Sequence, residues 1–153
     1  MNSIQKRLES QAVDIKGKQC VLVKDRVMAF HELNPNGSIV TELVSSPESK
    51  MVMVRAVITP DVGTPERVFT GFSQAIWGDG RINSSAALEN AETSAVGRAL
   101  AFLGIGVIDS IASVDEINKA EVAAVTKDYM DEAERQVNAA KEAAIKLKQE
   151  KNG

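Results

Sequence analysis

The sequence predicts an α+β domain: an antiparallel β-meander packed on one principal helix, a βαβββα core, with a C-terminal helical tail. Three observations predict it. Residues 38–76 hold three β-rich runs separated by short turns bearing proline or glycine, the pattern of a meander. Residues 85–103 switch to helical spacing and carry a dense set of small side chains. From Ser113 onward the chain becomes rich in Ala, Glu and Lys behind a helix-capping signal. The expected organisation is an N-terminal segment over residues 1–15, a core over 16–112, and a C-terminal helix over 113–153 that projects or is mobile.

The elements follow in order. Ile4–Ala12 reads as a short helix, and Lys18–Val23 has the apolar, β-branched content of a strand. Asp25–Leu33 reads as a helix with Val27, Phe30 and Leu33 on one face and Arg26 and Glu32 available to solvent. Asn34-Pro35-Asn36-Gly37 stops it, because proline cannot continue a helix and Asn-Gly readily takes positive φ. Ser38–Ser45 alternates, with Ile39, Thr41 and Leu43 on one side and Val40, Glu42 and Val44 on the other. Met51–Thr59 is a Val- and Met-rich strand containing Arg55. Arg67–Ile76 is a third strand, in which Gly71 signals a bulge or a close backbone approach.

Trp77-Gly78-Asp79-Gly80-Arg81 is a glycine-rich loop. Behind it a helix runs from Ser85 to about Leu103, with Leu88, Ala91, Ala95, Ala99 and Phe102 as an apolar stripe. Gly104-Ile105-Gly106 ends it. Ser113-Val114-Asp115-Glu116 is a capping box that opens a helix towards Lys148, with few large apolar residues beyond Tyr129.

Composition excludes several classes of function. No apolar run approaches the roughly 20 residues that span a bilayer, and the first ten residues lack the apolar core of a signal peptide, so a cytoplasmic location is expected, with no membrane partner. Cys20 is the only cysteine and His31 the only histidine, which argues against a disulfide, a Cys/His zinc site and a Cys/His catalytic pair. No glycine-rich segment ends in Gly-Lys-Ser/Thr, so an ATP-driven activity is not expected. The net charge of −3 is unevenly spread. Residues 1–58 carry eight Lys and Arg against six Asp and Glu, and residues 59–115 carry three against seven. A nucleic-acid site would therefore be a local groove rather than a basic face.

The densest signal is Glu89–Gly106, ENAETSAVGRALAFLGIG. Gly97 costs the helix about 1 kcal/mol relative to alanine, which implies that something approaches it closely: the sheet, a neighbouring subunit or a nucleic-acid backbone. This string, following GDGRINSSAALE, resembles a pattern in phage single-strand annealing proteins of the Erf and Sak groups, whose helix after a β-meander also ends in Gly-Arg-Ala-Leu. The segments KDRVMAFHELNPNGSIVTEL and FTGFSQAIWGDG are similar to the same family. The likeness covers roughly residues 16–118 and is most specific over Glu89–Gly106. It implies a compact sheet-plus-helix fold, ring or filament oligomers, binding of single-stranded DNA and no nucleotide hydrolysis. A phage or host recombination protein, engaged through the C-terminal helix, is a further candidate partner.

The sequence departs from that pattern in its acidic charge and its aromatic content of only 4%. Many sequence-independent single-strand binders stack bases on aromatic rings. Trp77, Phe69, Phe72 and Phe30 are the candidates, with core packing the expected role of each phenylalanine. The phosphate-binding candidates are Lys16, Lys18, Lys24, Arg26, Arg55, Arg81 and Arg98, with Arg55 and Arg98 foremost. Either of these two can instead pair with Glu89 or Glu92. Asn83, Ser84 and Ser85 stand before the main helix, at a natural anion site. No catalytic residue, metal or cofactor is expected. Two alternatives remain open: a protein-binding regulator acting through the C-terminal helix, and a metal-dependent nuclease built on Asp79, Glu89 and Glu92.

Overall fold

The computed structural model describes residues 3–15, 17–109 and 134–139. The chain divides into two units, Met1–Glu116 and Ile117–Gly153. In the second, residues 134–139 are helical and exposed. The expected capping box and the rest of the helix towards Lys148 lie outside the described residues.

The first unit opens with helix α1 (Ser3–Ser10), which buries Leu8. An exposed ion pair, Arg7 Nη2 to Glu32 Oε2 at 2.6 Å, ties α1 to the next helix. The hydrogen bond to Glu32 raises the Arg7 guanidinium above its ordinary pKa. Strands β1 (Val13–Ile15) and β2 (Lys18–Cys20) form a separate antiparallel hairpin. This corrects two expectations: β1 was not foreseen, and the strand near Lys18 does not join the meander. Three residues are too few to show alternation, and helix α2 (Val23–Leu33) takes up the end of the apolar run. Asn34 closes α2 by donating from its backbone and side chain to the Phe30 carbonyl, at 2.8 and 2.9 Å. Gly37 is not at positive φ. It is needed because a Cβ there would lie 2.6 Å from the Phe30 ring.

Strands β3 (Ser38–Leu43), β4 (Met51–Thr59) and β5 (Phe69–Ile76) form the meander, in that spatial order and antiparallel throughout. A short helix α3 (Gly80–Asn83) precedes the main helix α4 (Ala87–Phe102). The fold class is the expected one: an α+β domain whose meander packs on one principal helix.

Alternation along β4 decides which side that helix covers. Val52, Val54, Ala56 and Ile58 are buried and share one core with Ala91, Ala95, Ala99 and Leu100 of α4 and with Ala29 and Phe30 of α2. The tightest point is Gly71 on β5. A Cβ there would collide with the Ala95 carbonyl oxygen and lie 2.5 Å from the Ala99 nitrogen. The register through Ala56↔Gly71 is unbroken, so close approach and not a bulge explains the glycine. The expected stripe is corrected at both ends, because Leu88 and Phe102 are exposed while Ala87, Ser94, Val96, Gly97 and Ala101 are buried. A helix backbone held this close to a sheet leaves room only for small side chains between them.

Gly97 faces α2, where a Cβ would meet a Val23 methyl at 2.7 Å. At the C-terminus of α4, Gly104 takes φ +92°, and the Gly104 and Ile105 nitrogens bond back to the Ala101 and Leu100 carbonyls at 2.9 and 3.0 Å. That is a left-handed stop of the kind glycine supplies.

The two close approaches differ in what they touch. Gly71→Ala drives a Cβ into helix backbone, which cannot rotate away, and is expected to destabilise the domain by about 1–3 kcal/mol or to prevent folding. Gly97→Ala meets a side-chain methyl that can shift, and the gain of about 1 kcal/mol in helix propensity offsets part of the clash. Urea unfolding should rank Gly71→Ala as clearly the more damaging change; equal losses would contradict this packing.

Candidate functional site

One face of the meander is spent on the core, so the other is what the fold presents. Cross-strand pairing places Glu42, Arg55 and Phe72 in one row of that open face. Val40, Val57 and Thr70 form the row on one side, and Met51 and Ile76 pair at the far end. These side chains point away from α4, because they alternate with the buried set. Val40 is 56% exposed, Phe72 50% and Ile76 46%. Trp77 is half-exposed just past β5 and extends the ladder by donating its N–H to the Lys50 carbonyl at 2.9 Å.

Arg55 sits at the centre of this face, its side chain 41% exposed. Its Nη1 lies 3.9 Å from Glu42 Oε2, a loose ion pair beyond hydrogen-bond distance. Its Nε is buried and has no hydrogen-bond partner among the described residues. Arg55 thus pairs with Glu42 and not with the helix acids Glu89 or Glu92.

The other expected site residues are scattered. Lys18 on β2, Lys24 at the start of α2 and Arg81 on α3 are exposed. Lys16 lies outside the described residues. Arg26 is a correction. It is 1% exposed, donating from Nε to the Val21 carbonyl and from Nη1 to the Gly97 carbonyl, each at 3.1 Å. These bonds anchor α2 to α4 and remove Arg26 from the surface. It also explains Gly106, where a Cβ would lie 2.9 Å from the Arg26 side chain. Asn83 is a second correction, being buried with its Oδ1 accepting from Asn90 Nδ2 at 2.8 Å. Ser84 donates to the Arg81 carbonyl at 2.8 Å, and α4 starts from Ala86 with no side-chain cap.

Arg98 is half-buried on α4 and is held by an interaction within the protein. Since α4 covers the core face, Arg98 and Arg55 stand on opposite sides of the sheet and do not form one site. Glu92 Oε1 accepts a 2.6 Å bond from Thr41 Oγ1 and so ties α4 to β3. Among the described residues no three His, Cys, Asp or Glu side chains come together, so Asp79, Glu89 and Glu92 do not converge. His31 is exposed and stands edge-on to Phe30, ring centroids 5.2 Å apart.

Phe72, a stacking candidate from the sequence whose expected role is core packing with Phe30 and Phe69, is instead half-exposed. Phe30 is buried, and Phe69 is half-buried beneath Arg67 at 5.6 Å. The signal was present in β5, where Gly71 and Ala75 alternate with Phe72 and Ile76. Only the small pair fits under a helix of small residues.

A family model described as Slr1353 N-terminal dsRNA-binding domain-like matches residues 27–103, half of the chain. No curated protein matches. No solved structure matches either. Among the described residues no helix is long and apolar enough to cross a membrane.

The two arginines should separate in stability. Arg26→Ala leaves two buried carbonyls without their donor and opens a void, a loss of about 3 kcal/mol or more. Arg55→Ala removes a half-exposed side chain and a loose ion pair, a loss within about 1 kcal/mol. Chemical denaturation of both variants checks this; comparable midpoints would contradict the assignment of Arg26 to the core.

Proposed function

The chain belongs to the Slr1353 N-terminal dsRNA-binding domain-like family, and we propose that it is a non-enzymatic nucleic-acid-binding protein that holds unpaired strands and brings complementary ones together. The family match carries the nucleic-acid-binding part of the reading. It spans α2 from Val27 onward, the whole meander and α4, the elements that make up most of the core.

The charge layout favours unpaired strands over a duplex. A double-stranded-RNA-binding domain typically meets two minor grooves and the phosphates between them, over about 16 base pairs. On the helical side of this domain the exposed cations are divided. Arg81 precedes α4, while Lys24 stands at the start of α2, which docks on the far half of α4 through Val23 and Gly97. The first turn of α4 between them carries Glu89. A duplex would meet carboxylate where it needs cation. An unpaired strand can draw part of its affinity from its bases and needs fewer phosphate contacts.

Strand annealing is supported by the likeness of Glu89–Gly106 to the Erf and Sak proteins. Self-assembly is supported by the sheet itself, since no strand among the described residues pairs with the outer edge of β3 or β5, and open edges invite pairing with another chain. A cytoplasmic setting, phage recombination and a partner for the C-terminal helix belong to the same reading.

Gel-shift titrations of single-stranded DNA, single-stranded RNA and duplex at two salt concentrations test it. Unpaired strands should bind more tightly than duplex, with little dependence on base identity. The log–log salt slope should be shallow, at about −0.7 for each phosphate contacted. No binding to any of the three at low salt would overturn the proposal.

A further inference from the structure

We propose that the open face of the three-stranded sheet is where unpaired bases stack, with Phe72 as the stacking ring and Arg55 as the phosphate contact. The assignment rests on the nucleic-acid-binding reading and locates its site.

The face is exposed by construction. Every large side chain on β5 that avoids α4 emerges here, beside Val40 of β3 and Met51 of β4. Contiguous exposed apolar surface of this kind is uncommon on a soluble monomer and marks a surface that something covers. Its centre, however, is charged. Protein–protein interfaces favour arginine and aromatic rings but are depleted in carboxylates at the core of the patch. Here the middle row is Glu42–Arg55–Phe72, and among the described residues Arg55 keeps a buried Nε without a hydrogen bond and a loose carboxylate neighbour in Glu42. A cation beside a half-exposed aromatic ring, set among flat aliphatic side chains, complements a nucleotide. The ring takes the base face, and the guanidinium takes the phosphate.

Glu42 has a definite part in this arrangement. In the unbound protein it partly neutralises Arg55, and it repels an incoming phosphate. Binding therefore requires Arg55 to exchange one anion for another.

Fluorescence anisotropy of a labelled oligothymidylate measures the consequence. Phe72→Leu keeps an apolar side chain of similar bulk but removes the π-face, and it should weaken binding roughly tenfold, within the range of one lost base–aromatic stack. Phe72→Trp should restore it. Arg55→Ala should weaken binding by a factor of about five to ten and flatten the salt dependence by about one phosphate. Glu42→Gln should tighten binding about two- to fivefold. Phe102→Ala, which removes an exposed ring from α4 on the other side of the sheet, should bind as the wild type. Thermal melting and light scattering accompany each variant. If the wild type binds the oligonucleotide and Phe72→Leu binds equally well, the face assignment falls while the nucleic-acid reading stands. The assignment also falls if Phe72→Leu breaks an oligomer without changing the affinity per chain, since the occupant would then be a second copy. If the wild type binds no strand even at low salt, both fall together.

Discussion

The contact between Gly71 and the backbone of α4 sets the geometry of the whole domain. With no Cβ at that position, the helix settles against β5 until the Ala95 carbonyl and the Ala99 nitrogen lie where a side chain would otherwise begin. The residues nearest that contact must then be small, which accounts for the run of alanines along α4 and for Ala56 and Ala75 on the strands. The hydrophobic contribution of each such residue is modest, so stability depends on tight and continuous contact more than on large buried groups. The larger apolar residues that remain are displaced to places the helix does not reach, including the open face of the sheet and the ends of α4.

A second element locks the first. Arg26 is a fully buried cation, held by the Val21 and Gly97 carbonyls. Burying a guanidinium is unfavourable unless its donors are met, and here they join three pieces of chain: the segment after β2, α2 and the middle of α4. Gly97 and Gly106 both make room for this junction, one beside Val23 and the other beside Arg26 itself. The small residues of Glu89–Gly106, which in the sequence resemble a nucleic-acid-facing pattern, are therefore largely taken up by internal packing. Arg98 and Arg55, the two cations that sequence reasoning ranked together, are divided by the sheet.

This division gives the domain two unlike sides. The helical side is closed over the core, with Arg26 buried and Arg98 half-buried. The sheet side is open, with one cation, one loosely held carboxylate and a half-exposed ring in a single row. Function and fold are thus connected through one strand. In β5 Gly71 and Ala75 lie on the helix side, while Phe72 and Ile76 meet the exterior, so neither set can be exchanged without affecting both.

Much of the architecture was legible in the sequence. Met51–Thr59 matches β4 from end to end, the helix limits of α4 are within two residues of those expected, and Gly104 stops it as glycine should. These features are local, set by alternation, helical spacing and backbone freedom. Strand alternation also showed which residues share a face. It could not show which face would be covered, because that depends on where a helix distant in sequence docks. For that reason Phe72 was assigned to the core and proves half-exposed, Arg26 was assigned to solvent and proves buried, and Leu88 and Phe102 were assigned to the packed stripe and prove exposed. In each case the residue type and its spacing were ordinary, and the deciding fact was a neighbour: the α4 backbone over Gly71, or two carbonyls around Arg26. The sequence by itself determined the elements and their order; only the tertiary structure decided which side of each element was left for a ligand, because burial is a property of contacts between segments and not of any one segment.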